Sequence, residues 1–96
     1  MEEHQWSETP QDIVVRNFNL PTNNSEEWDN IRQLLCNEIQ HLLHHNFERL
    51  MHILYRIDVN ENLVQQVIHN KNAASLLADL IIERQIQKVE SRRKNS

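Results

Sequence analysis

No glycine occurs anywhere in the 96 residues. Glycine is the residue that takes positive φ without steric penalty, so a tight turn needing that geometry must fall to Asn or Asp. Two-residue β-hairpins lean on such turns, which disfavours a hairpin-built β architecture. Glycine-rich loops that cradle phosphates are excluded outright. Helices joined by short polar turns remain, in a chain short enough for one domain with one modest core.

The apolar pattern agrees. Pro21-Thr22-Asn23-Asn24-Ser25 is a helix start signal: Asn24 or Ser25 can cap the first amides, and Glu26, Glu27 and Asp29 suit the positive end of the dipole. From Trp28 through Ile31, Leu35, Ile39, Leu42, Phe47, Leu50, Leu54 and Ile57 the apolar residues stay within one broad helical arc. Their phase holds across His44-His45-Asn46, weak helix formers all, and predicts one helix over 25–57 rather than two with a break near Asn46. Asn60 can cap a short helix carrying Leu63, Val64, Val67 and Ile68. His69 to Asn72 supplies a turn, and a last helix runs from Ala73 to about Ser91. Its apolar arc is wider than half the circumference, so it requires burial on two sides.

The first residues read differently. Pro10 is expected to block a helix, and Ile13-Val14-Val15, Phe18 and Leu20 form a short apolar patch in an extended arm, docked or flexible. The division is therefore an arm over 1–23, a helical domain over 24–92 and a basic tail over 93–96. The expected fold is all-α: a small bundle of a long helix, a short helix and a long C-terminal helix. A second copy would cover the surplus apolar face of the last helix, which predicts a homodimer.

The net charge of −4 is unhelpful for binding a polyanion. It is also uneven. Acids dominate residues 1–30, where Arg16 is the sole base, and bases dominate 83–96. An antiparallel pairing of the long helices would bring Glu26, Glu27 and Asp29 near Lys88, Arg92 and Arg93. The single cysteine, Cys36, has no partner for an internal disulfide, as in a reducing compartment. No apolar run reaches the ~20 residues of a membrane span, and the N-terminus is acidic, unlike a signal peptide. A cytoplasmic address without membrane contact is expected, since a surface-bound helix would want lysines and arginines beside its apolar face.

Four of the six histidines fall within residues 38–58. On one continuous helix His41, His45, Glu48 and His52 would share a stripe, with the i, i+4 spacing by which two imidazoles hold a first-row metal. That stripe points away from the apolar arc, where ligands lack the packing that fixes a metal site, so a solvated face is the preferred reading. Glu38-Ile39-Gln40-His41 has the Glu-x-x-His spacing of di-iron bundles, but a single outward-facing copy cannot build one. A face of histidines would also charge in mild acid, which makes a pH sensor the companion alternative.

Activated nucleophiles are hard to find. Cys36 lies nearer the apolar arc than the polar one, and Ser75 has no predicted base. An enzyme is not expected, and neither is a cofactor. As a reading helix for DNA, AASLLADLIIE is apolar and acidic where Arg, Lys, Asn or Gln are needed. Lys88, Arg92, Arg93 and Lys94 could still touch phosphates without sequence preference, which keeps a nucleic-acid accessory role as the alternative. The preferred function is a non-enzymatic interaction module that self-associates and binds another macromolecule. Trp6, Ile13, Val15 and Phe18 would serve in partner capture, and Leu77, Ile81 and Val89 in the shared core.

Overall fold

The computed structural model describes residues 9–22 and 27–94, with side chains as far as Ser91. Five helices account for the secondary structure of these residues, without a strand: α1 (Pro10–Phe18), α2 (Trp28–His45), α3 (Phe47–Arg56), α4 (Glu61–Val67) and α5 (Ala73–Lys94). The all-α expectation holds. Two of its details do not.

The extended arm is the first correction. Pro10 does not block a helix; it opens one, because the first helical position needs no amide hydrogen. Thr9 is the N-cap. Its side chain accepts a hydrogen bond from the Asp12 amide at 3.1 Å, and the Asp12 carboxylate accepts one from the Thr9 amide at 2.9 Å. This reciprocal box satisfies two donors that the helix leaves unpaired. α1 then buries Val14 and Phe18 in the core.

Its end shows how a chain without glycine turns. Asn19 takes the left-handed conformation, φ 53°. The Asn19 amide donates to Arg16 and the Leu20 amide to Val15, the paired closing bonds of a Schellman motif. α3 ends in the same way. Asp58 has φ 65°, its amide donates to Tyr55, and the Val59 amide donates to Leu54. In each motif the following apolar residue, Leu20 or Val59, folds back into the core. Asn and Asp do here what glycine does elsewhere.

The second correction is the long rod over 25–57, which breaks at Asn46. The Asn46 amide closes α2 on Leu42 at 2.8 Å, while its side-chain oxygen accepts from the Arg49 amide at 3.2 Å and opens α3. The break is a reversal. Arg32, near the start of α2, reaches Ser75 and Asp79, whereas Gln40, Leu43 and His44 near its end share a depression with Ala73 and Ala74. α2 is thus antiparallel to α5. Phe47 lines the same depression, yet the Ile57 carbonyl at the other end of α3 meets Gln85. Phe47 to Ile57 and Ala74 to Gln85 each span roughly 15–17 Å of helix, so α3 returns alongside α5. A straight helix would have carried Ile57 away from it.

α5 is the hub. It packs most extensively on α2, then on α1 and α4, and Leu77, Ala78 and Ile81 are fully buried within one chain. The second cover that the width of its apolar arc demands comes from α1 and α4. α4 begins where expected, with the Asn60 side chain accepting from the Asn62 and Leu63 amides. The turn before α5 is braced by the Asn70 side chain, which accepts from the Asn72 amide. No described helix is long and apolar enough to cross a membrane.

Candidate interaction surfaces

The structure scatters the residues that the sequence groups. Ile13, Val15 and Phe18 are between 2% and 8% exposed, so they serve the protein's own core rather than an outward-facing arm. Leu77, Ile81 and Val89 are likewise interior. Trp6 lies outside the described residues, as do Asn24, Ser25 and Glu26 and the side chains of Arg92, Arg93 and Lys94.

Reversal at Asn46 also divides the histidine stripe. His41 and His45 remain together on α2, their ring centroids 4.5 Å apart and their planes inclined by 34°. Both are exposed. Glu48 and His52 fall on α3, along a depression shared with Arg49 and Arg56. Among the described residues, no three His, Cys, Asp or Glu side chains are close enough to hold a metal ion together. His44 sits apart, with its Nε2 2.9 Å from Nε2 of Gln40.

Where α3 ends, α5 supplies a clamp. Arg84 donates from Nε to the Asp58 carbonyl at 2.9 Å and from Nη2 to the Asp58 carboxylate at 3.0 Å. Gln85, fully buried, donates from Nε2 to the Ile57 carbonyl, and Lys88 approaches the same oxygen at 3.5 Å. Donors and cations at a helix C-terminus satisfy its orphan carbonyls and complement its dipole. Lys88, a candidate phosphate contact in the sequence, is therefore turned to an internal acceptor.

A second polar cluster joins α2 to α5. Arg32 pairs with Asp79, Nε to Oδ1 at 2.7 Å, and donates from Nη2 to the Ser75 hydroxyl at 2.7 Å. The Asp79 hydrogen bond and charge hold the guanidinium above its usual range. Ser75 is thereby an acceptor for a cation. Cys36 is half-buried on α2, and desolvation pushes its thiol upward against the opposing pull of Arg32. Such a thiol stays protonated at neutral pH and is a poor nucleophile.

One surface has no counterpart in the sequence pattern. Between α3 and α4 lies a groove of about 180 Å³ lined by Met51, Leu54, Tyr55, Val59, Glu61 and Val64. Its lining is mostly apolar, and Tyr55 is 88% exposed at its lip. Tyr55 belongs to no periodic stripe, and the groove forms where the turn at Asp58 folds α4 against α3. Position within the α3 sequence gave no sign of it.

No protein-family model matches this chain, and no curated protein or solved structure shows significant similarity to it.

Proposed function

We propose that this chain is a non-enzymatic helical module that self-associates and binds another macromolecule, with the α3–α4 groove as its docking surface. Tyr55 carries the reading. An aromatic side chain left 88% exposed beside an apolar groove gains nothing from its own core. Aromatic residues are enriched where one protein buries itself against another, and they dominate binding energy there.

Self-association through this surface follows two-fold logic. Each copy carries both a protruding ring and a groove, so a symmetric pair can set the Tyr55 of each against the Met51, Leu54 and Val64 wall of the other. α5 is no longer required for the contact, because its apolar face is already covered by α1, α2 and α4.

Sedimentation velocity across a wide concentration range, on the intact protein and on Tyr55→Ser, tests the proposal. A concentration-dependent dimer abolished by the substitution supports it. A monomer at every concentration removes self-association. Affinity capture with the same two proteins then tests the second partner, and recovery of the same partners by both rejects the groove as the docking site.

A further inference from the structure

His41 and His45 lie on successive turns of α2, on the face turned to solvent. Their rings are in contact, 4.5 Å between centroids, and among the described residues neither has a hydrogen-bond or ion-pair partner. Two features favour this pair as ligands. The rings already sit side by side, so turning each about its side-chain bonds aims one nitrogen of each at a common point. They also occupy the last turns of an 18-residue helix, whose closing carbonyls carry partial negative charge. His44 is instead engaged with Gln40, and His52 lies on α3, along a depression with Glu48, Arg49 and Arg56.

We propose that His41 and His45 together form an exposed two-imidazole chelate for one late first-row divalent cation, such as zinc, nickel or copper. Imidazole nitrogen suits these ions, and ligand distances near ~2.0–2.1 Å are within reach of two rings in contact. Water completes the coordination. The chelate needs α2 to be helical as far as His45, so the bound ion stabilises the last turn before the Asn46 reversal.

Isothermal titration of the full chain with zinc sulfate and with nickel sulfate, near neutral pH, is the test. His41→Gln and His45→Gln should each weaken the tightest site at least about tenfold. His4→Gln, His44→Gln, His52→Gln and His69→Gln should leave its affinity within about twofold. Because the rings of His41, His44, His45, His52 and His69 are exposed, circular dichroism should show the same helix content in these five variants as in the intact protein. The ion should also raise the melting temperature of the intact protein and leave the His41→Gln, His45→Gln double variant unmoved. Absence of binding, loss through only one of the two rings, or an equal loss in any control overturns the proposal.

Discussion

Gln85 of α5 donates its side-chain hydrogen to the Ile57 carbonyl at 2.9 Å, from a site with no exposure to solvent. Among the described residues the Gln85 Oε1 atom finds no hydrogen-bond partner. One half of the amide thus secures the end of α3, while the other half sits in the core as an unpaired acceptor. A buried polar group of this kind is costly unless water reaches it.

Replacing Gln85 separates the two halves. Gln85→Met keeps the volume and removes the unpaired acceptor together with the bond to Ile57, so the net loss should be about 1 kcal/mol. Gln85→Ala adds a cavity and should cost about 2–4 kcal/mol. Gln85→Glu buries a carboxylate beside a carbonyl and should be the worst of the three at neutral pH. Urea denaturation of each variant gives the ranking.

The left-handed residue at the end of α1 offers a stabilising change. Asn19→Gly should raise stability by up to about 1 kcal/mol, because glycine takes φ 53° without the Cβ penalty. Asn19→Val should lower it by more than about 1 kcal/mol, since a β-branched residue resists that region. Equal midpoints for the two variants would show that α1 does not close through this motif.

At Asn46 the reversal depends on more than its cap. Asn46→Ala should cost about 1 kcal/mol through the lost bond to the Arg49 amide. The chain should nevertheless still reverse, because a straight rod would strip Leu50, Ile53 and Leu54 from the core. Small-angle scattering of Asn46→Ala should superimpose on that of the intact protein.

Exposure limits what the interhelical ion pair contributes. Arg32 and Asp79 are 40% and 58% exposed, so Asp79→Asn should cost no more than about 1 kcal/mol, shrinking with added salt. Leu35→Ala, one turn further along α2 and fully buried, should cost about 2–5 kcal/mol regardless of salt.

Cys36 sets a dependence on alkaline pH. Its folded thiol is raised above the ordinary value of 9.0, chiefly by desolvation, so the unfolded chain releases that proton first. The associated stability is fully present below the unfolded value and declines as pH climbs through the folded one. Cys36→Ala should flatten this part of the stability profile, and alkylation of the native thiol at mildly alkaline pH should run slower than that of the unfolded chain.

How much of this was legible in the sequence depended on whether the signal was local. Missing glycine pointed to helices and to Asn or Asp in the left-handed corners, and Asn19 and Asp58 fill that role. The caps of α4 and the start of α5 were readable because Asn60 and the His69–Asn72 turn act within a few residues. The signal of α1 is also local, since Thr9-Pro10-Gln11-Asp12 is a capping box with proline at the first helical position, and it outweighs the extended pattern of Ile13-Val14-Val15. The Asn46 reversal was hidden for a physical reason. α2 and α3 both turn their apolar residues into one shared core, so these keep one phase whether the chain runs straight or turns back. The clamp of Arg84, Gln85 and Lys88 on α3 joins residues 26 to 31 positions apart, a separation that no pattern reports. Of the candidate metal stripe, only the His41–His45 spacing within one helix survived as a contact.

The hub position of α5 has a consequence for how the molecule comes into being. The helix around which the others gather is the last of the five to leave the ribosome. Until Leu77 and Ile81 have emerged, α1 and α2 have only each other and α3 to close upon, and the face each turns to α5 stays uncovered. A chain interrupted before Ala73 therefore lacks the helix against which α1, α2 and α4 pack, and should not hold the remaining helices in their native arrangement.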